Sequence, residues 1–400
     1  MPLCKITKKK IKTFMSFGKM PLANGFLQKK NFNKEFFYNL EASFNDELSL
    51  FQINDHPKPS QMFNKNYPFF TSGSKFMIDH FKKYSNWIKN EFIKKNSKLI
   101  EVGSNDGTFL KNFNNSDISY IGFEPSYSAY KIAKKRKVKT LNEFFSYTSL
   151  NKIIKFKNKT DLIVGSNVIC HIPNLVEFIK SADLMLNDTG ALIFEEPYLG
   201  SMYAKTSYDQ IYDEHIFMFS ITSIYNIFKN FGFDLIDAIP QTTHGGSMRY
   251  IIKRNSNNNN LQKIKKLIEI EKKLKISTLE GCFEFKKKCE LSKITLLEKL
   301  EKIKKSNKNI CGYGATSKST TILNYCGIGA QLIECIFDTT KEKVGKYSPG
   351  MHIPIKDYKH FRKEFYDYCY LFAWNHKNEI FKKERDYTKA GGKWVSHVSL

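Results

Sequence analysis

Between Lys75 and Asn96 apolar residues recur three and four positions apart, at Phe76, Met77, Phe81, Tyr84, Trp87 and Ile88. That period predicts an amphipathic helix. The pattern then changes. Lys98–Val102 is a short, nearly continuous apolar run ending at Gly103, as a buried strand reads. Similar runs recur at Tyr120–Phe123, Leu162–Ser166 and Ala191–Phe194, with helical stretches between them. Strands alternating with helices predict a parallel sheet wound on both faces. A second such unit opens at Lys308–Gly314 and closes with Tyr370–Trp374 and Lys393–Val395. Residues 1 to about 75 show only short, turn-rich pieces. An Asn-rich run, Asn255 to Asn260, precedes a Lys/Glu-rich helix or helix pair whose apolar positions (Ile264, Leu267, Ile268, Ile270, Leu274) keep helical spacing, read as a connector with a solvated face.

Four hundred residues exceed one ordinary core, so several domains are expected. The reading is an α/β chain of two doubly wound, Rossmann-like domains joined by a helical arm, with a small irregular N-terminal domain. Its divisions are 1–74, 75–255, 256–308 and 309–400. The sequence has no apolar run of about 18 residues and no apolar segment after Met1. Its eight cysteines form no tight pairs, which fits a reducing compartment. A cytoplasmic protein without membrane contact is expected. The net charge of +25 invites a nucleic-acid partner. Lys, Asn, Ile and Phe are abundant together while Arg, the residue of base readout, is scarce, a pattern of codon bias. No nucleic-acid partner is expected, although a basic surface draws in small phosphate-bearing substrates.

Chemistry is densest where the first strand ends. Glu101-Val-Gly103-Ser-Asn105-Asp106-Gly107 has the glycines of a nucleotide-binding turn. Its carboxylates would repel a pyrophosphate but suit a cationic ligand free of phosphate. Glu124, followed by Pro125, ends the second strand about 20 residues on, where an acid binds ribose hydroxyls. Asn167 ends a later strand. S-adenosylmethionine (SAM), with a sulfonium, an ammonium and an adenosine, fits this set. Beyond another strand end, Tyr208–His215 packs titratable and aromatic groups, and His171 and His244 lie in the same unit.

With these motifs the chain resembles the sugar C-methyltransferases that act on nucleotide-linked 4-keto-deoxyhexoses. Further marks are Ser16–Asn24, Tyr67–Ser74, Asn167–Pro173, His244–Ser247, Gly312–Ser319, Asn324–Gly327, Pro349–Pro354 and Trp374–His376. The resemblance implies a zinc-binding N-terminal domain, a central methyl-donor domain and a C-terminal domain holding the substrate's nucleotide, in a monomer or weak oligomer. It makes His215 the base that removes a proton next to the ketone, with Glu214 and Tyr212 orienting it or the sugar. Tyr67 contacts sugar or oxyanion, and His171 sits near the ketone. It places His244, Thr316, Asn324, His352 and Asn375 along the substrate. The residues themselves add Gly314, Lys318 and Ser319 as a phosphate-binding turn and Asp338 as a ribose or base contact.

One departure is plain. The family's zinc site uses two Cys-x-x-Cys pairs, which here read Cys4-Lys-Ile-Thr7 and Asn45-Asp-Glu-Leu48. One thiolate does not close a four-thiolate site, so zinc is expected to be absent and no other metal is assigned. Methylation on oxygen or nitrogen needs no strong base, so the Glu214–His215 pair favours carbon. A non-catalytic, degenerate family member is the remaining alternative. No Asn-Pro-Pro-Tyr-like motif for a flipped base is present.

Overall fold

The computed structural model describes residues 1–63, 67, 69–254 and 261–400. Pro68, the Asn255–Asn260 run and the 255/256 division fall outside them. The N-terminal unit, expected to be irregular, is built on antiparallel strands β1 (Lys12–Pro21), β2 (Phe37–Asn45) and β3 (Leu50–Ile53). Register shifts at Thr13/Met15 and Ser16/Gly18 break the two-residue alternation of β1, which hides it in the sequence.

In the central unit β4 (Lys98–Val102), β5 (Ser119–Phe123), β6 (Thr140–Leu141), β7 (Thr160–Ser166) and β8 (Leu186–Pro197) run parallel. The two-residue β9 (Phe217–Met218) follows, then the hairpin of β10 (Phe233–Gln241) and β11 (Ser247–Arg254), with β11 antiparallel to β8. The sheet order is β10-β11-β8-β7-β4-β5-β6. Its direction of winding reverses between β4 and β7, which opens a crevice at their carboxyl ends. β9 pairs with β3 instead, so the chain just after His215 is stitched to the N-terminal sheet. Between β4 and β5, where the strand spacing predicts a helical stretch, the chain forms only a 3₁₀ turn, Leu110–Phe113. There the Asn112 amide donates to the carbonyls of Thr108 and Phe109 and competes with the helical ladder.

The C-terminal unit is a parallel sheet of β12 (Ile310–Tyr313), β13 (Ile336–Asp338), β14 (Ile355–Asp357), β15 (Tyr368–Leu371) and β16 (Lys393–Val395), in the order β14-β13-β12-β15-β16. Its winding reverses between β12 and β15. The arm, helices Leu261–Lys273 and Leu279–Lys305, is more than a solvated connector. It buries Cys282, Phe285, Cys289, Leu296 and Leu300. Its Glu271 accepts hydrogen bonds from the Ile221 and Thr222 amides at the start of the helix Ile221–Lys229, both at 2.8 Å, and from the Tyr198 hydroxyl. A carboxylate there satisfies orphan amides and complements the helix dipole. One apolar core runs unbroken from Cys4 and Phe14 through Phe194 to Tyr370 and Val395. Among the described residues no helix is long and apolar enough to cross a membrane.

Candidate active site

The two crevices face one cavity of about 1260 Å³, lined by the central unit, the C-terminal unit and, from the N-terminal unit, Asn24, Lys58–Ser60, Phe63 and Tyr67 among others. At the central pole the chain turns at Gly103, where φ is +68° and a Cβ would stand 2.6 Å from Cγ2 of Val168. Only glycine fits both conditions. Glu124 accepts a hydrogen bond from the Asn105 amide on one carboxylate oxygen (2.9 Å) and from the Ser126 amide on the other (2.7 Å). Burial nevertheless pushes its carboxyl up to about 7. Glu101 is buried with no partner for Oε2, and burial, then Glu124 and Asp106, push its carboxyl well above the usual range. An orphaned buried carboxyl oxygen beside a second acid, under a glycine turn, fits a ligand bringing both a cation and a diol. Pro125 and Asn167 complete this wall. Asp106 and Gly107 do not belong to it. Asp106 is fully buried, accepts from the Ser72 amide (3.0 Å) and Thr108 hydroxyl (2.6 Å), and pairs with Arg136 at 3.2 Å. Gly107 serves the turn against Val138.

Between the poles lie Tyr67, Glu214, Tyr212 and His171. Glu214 accepts from the Asn24 side-chain amide at 2.6 Å and from the Tyr67 hydroxyl at 3.2 Å. Burial raises its carboxyl to about 7. The Asp213 carboxylate next to it accepts from the Ala23 amide, so the N-terminal unit grips this segment twice. Tyr212 reaches the cavity and His215 does not. His215 lies behind it, with Nδ1 at 2.7 Å from the Gln210 carbonyl and Nε2 at 2.9 Å from the Tyr212 hydroxyl. A carbonyl at Nδ1 places the ring proton there and leaves Nε2 as acceptor. This corrects the picture of His215 touching substrate directly. His171 is sandwiched by Phe63 and His215, its Nε2 without a partner, and burial lowers it to about 3, so it is neutral. Cys170, His171 and His215 bring one thiol and two ring nitrogens within 4.8 Å, but both His215 nitrogens are already engaged. His244 adopts φ +53° and lines the cavity, its Nδ1 at 3.5 Å from the Asn167 amide.

At the C-terminal pole Gly314, Thr316, Lys318, Asp338 and Asn375 line the same cavity. Asp338 repeats the arrangement of Glu124: it accepts from the loop amide of Ala315 (2.6 Å) and from its own chain two residues on, Thr340 (2.7 Å). Three residues expected here from the sequence hold the fold instead. Ser319 is fully buried and bonds Thr316. Asn324 donates to the carbonyls of Thr320 and Pro349. His352 pairs with Glu35 of the N-terminal unit at 2.7 Å and stacks on Phe32. Sequence reasoning missed Asn24 and Lys343 as lining residues. The first sat inside a quoted motif, and the second followed Asp338 by five positions in a Lys-rich chain.

The positions of the two cysteine pairs do come together. The Thr7 amide donates to Cys4 Sγ (3.4 Å), the Leu48 amide to Asn45 Oδ1 (2.7 Å), and the Asn45 amide group to the Thr7 hydroxyl (3.3 Å). With one thiol, a hydroxyl, an amide and a leucine, these residues do not fit a structural zinc ion.

Three family models match the chain in succession: "Putative zinc binding domain" at residues 4–63, "Methyltransferase domain" at 75–238 and "C-methyltransferase C-terminal domain" at 242–399. The last begins inside the central unit, taking in β11 and the arm. The C-methyltransferase NovU of Streptomyces niveus is 26% identical over 384 residues, 95% of this chain and 91% of that protein. Among solved structures, a SAM-dependent methyltransferase of Thermotoga maritima is 19% identical with a TM-score of 0.34, over 44% of this chain and 91% of that one. Magnesium protoporphyrin IX methyltransferase of Synechocystis, solved with bound SAM, is 11% identical with a TM-score of 0.35, over 44% of this chain and 79% of that one.

Proposed function

Because this chain is a SAM-dependent C-methyltransferase, we propose that it methylates the carbon next to the ketone of a nucleotide-linked 4-keto-deoxy sugar. The observation that carries this reading is the shared cavity, with Glu101 and Glu124 at one end, Gly314 and Lys318 at the other, and Tyr212 and Glu214 between them. Glu124 would hold the ribose of SAM and Glu101 its ammonium, and bound SAM supplies an electrophilic methyl. The Gly314 turn and Asp338 take the nucleotide of the sugar.

The sugar ring then lies against Tyr67, Tyr212, Glu214 and His171. A proton next to a ketone is too weakly acidic to leave unaided, so a base must meet it within hydrogen-bond reach. Tyr212 takes that proton as it passes its own to His215 Nε2, which already accepts the tyrosine hydroxyl's hydrogen bond. Glu214 fixes the ring hydroxyls, held in place by Asn24 and Tyr67. His171, neutral and unpartnered, points a ring nitrogen at the developing oxyanion; as the Nε2–H tautomer it donates there. The rest of the rate comes from holding carbon and methyl in line.

Incubation with methyl-labelled SAM and a panel of nucleotide-linked 4-keto-6-deoxy sugars tests this. The expected product carries a carbon-bound, base-stable methyl. Label on oxygen or nitrogen, or in none of the panel, overturns the reading.

A further inference from the structure

The carbonyl that accepts from His215 Nδ1 belongs to Gln210, the last residue of the 3₁₀ turn Tyr208–Gln210. The C-terminal unit holds this turn at three points. The Trp374 indole donates to Asp209 Oδ2 at 2.6 Å, and the Thr321 hydroxyl donates to the Ile211 carbonyl at 2.9 Å. The Tyr208 ring meets the His397 ring edge-on, with centres 5.2 Å apart.

His397, in the segment that follows β16, has a side chain only 1% exposed, as has Asp209. Its amide donates to the Tyr370 hydroxyl (3.2 Å), so the proton of that hydroxyl goes to His397 Nδ1 (3.0 Å) and the ring proton sits on Nε2. Nε2 faces Asp209 Oδ1 at 3.2 Å, and among the described residues neither atom has another partner. Burial alone would raise the Asp209 carboxyl, but His397, then Lys318 and the Trp374 indole, hold it below its ordinary value. An ionised carboxylate out of water with a donor on each oxygen makes a stiff joint, because losing either donor leaves a buried charge underpaired.

The same joint reaches a second wall of the cavity. The Trp374 ring packs on the backbone of Gly245, where φ is +86° and a Cβ would stand 2.2 Å from Cη2. The neighbouring His244 lines the cavity, whereas Asp209 and His397 do not. Neither of these two is therefore placed to touch substrate.

We propose that Asp209 and His397 are positioning residues for proton removal. Together they pin the Tyr208–Gln210 turn, so that the Gln210 carbonyl keeps the His215 proton on Nδ1 and Nε2 stays open to the Tyr212 hydroxyl. This rests on the reading of Tyr212 and His215 as one relay, and it adds that the C-terminal unit sets the tautomer of the relay. Without the joint the carbonyl is free to swing, and a proton on Nε2 would oppose the tyrosine hydroxyl donor to donor.

Nitrogen magnetic resonance of the full-length protein, labelled in its histidine rings, reads the His215 tautomer directly, with His215→Asn assigning the signal. The wild type is expected to show Nδ1 protonated and Nε2 bare. His397→Ala and Asp209→Asn should each turn this into a mixture of tautomers, with SAM affinity unchanged. They should also slow exchange of the sugar's carbon-bound proton with deuterated water in the absence of SAM. Each should lower kcat by up to about 10²-fold, as a small misplacement does, while KM holds. His397→Gln, which keeps an N–H aimed at Asp209, should restore most of both. In a Tyr212→Phe background His397→Ala should cost almost nothing more.

An Asp209→Asn protein that fails to fold leaves the two His397 variants to decide. An unchanged His215 tautomer in the variants that fold overturns the positioning role, and so does a loss confined to KM or to SAM affinity. A tautomer that shifts in the variants, in a protein that exchanges no proton of any nucleotide-linked keto sugar, keeps the positioning role and overturns the substrate reading.

Discussion

The hydroxyl of Tyr212 donates to Nε2 of His215 at 2.9 Å, while the opposite ring nitrogen is fixed by the Gln210 carbonyl. The pair acts as a unit with only the tyrosine facing the cavity. Tyr212→Phe and His215→Asn should each lower kcat by roughly 10²–10⁴-fold with little change in KM. The double variant should be hardly worse than either single one, as expected for groups in one relay. Exchange of the substrate's carbon-bound proton with deuterated water, followed without SAM, reads the same step in isolation. Exchange at the wild-type rate in either variant removes the relay.

Glu101 and Glu124 carry protons more readily than ordinary carboxylic acids, because both are buried. A ligand ammonium placed against Glu101 favours the ionised form, so SAM binding near pH 6.5 should release protons. Calorimetry in buffers of different ionisation enthalpy measures the release directly. Glu101→Gln is expected to abolish most of it and to weaken SAM. Binding without proton release below pH 7 would count against the assignment of Glu101.

Stability of the ligand-free protein should depend on pH in an unusual direction. Glu124, Glu196 and Glu214 are each pushed up to about 7 by burial. In the unfolded chain such groups ionise near 4.3. Between those values the folded state binds more protons than the unfolded one, so stability falls as pH rises. Their contribution is complete below about 4.3 and is lost through about 7. Burial holds His171, His215 and His244 below the usual histidine range, which works in the opposite sense up to about pH 6.5. The decline is therefore expected above that point: thermal unfolding without SAM should give a Tm that falls from about pH 6.5 to 7.5. Glu214→Gln should flatten that slope, and a flat profile in the wild type refutes the linkage.

The N-terminal unit should fold without metal. Its paired turns close through Cys4, Thr7, Asn45 and Leu48 by hydrogen bonds and an apolar plug. Metal analysis should find far less than one zinc per chain, and a strong chelator should leave Tm unchanged. Restoring the quartet with Thr7→Cys, Asn45→Cys and Leu48→Cys should create a site for one zinc, since the positions already meet. Stoichiometric zinc in the natural protein would falsify this.

Both parallel sheets were legible, because strands buried on both faces read as plain apolar runs such as Lys98–Val102. The glycine turn and Glu124 were legible too, because a turn and a strand end leave fixed spacings. Tertiary context decided the rest. Asp106, Ser319, Asn324 and His352 occur in motifs beside cavity residues, yet each is spent on a local bond, a cap or a domain contact. Spacing along the chain does not say which way a side chain faces. His215 adjoins Glu214 in sequence, but the turn at Tyr212–His215 sends one to the cavity and the other behind a tyrosine. Lys343 was masked by a background rich in lysine.

The grip of Ala23 and Asn24 on Asp213 and Glu214 has a bearing on the missing thiolates. The loop at Ala23 and Asn24 is tied also to the C-terminal unit, where the Thr320 hydroxyl donates to the Ala23 carbonyl, and it shares its wall of the cavity with Lys58–Ser60, Phe63 and Tyr67. An ion is one way to brace such a wall and a hydrogen-bonded knot is another. The brace is therefore replaceable, whereas cutting the unit away would strip the reaction chamber of one side.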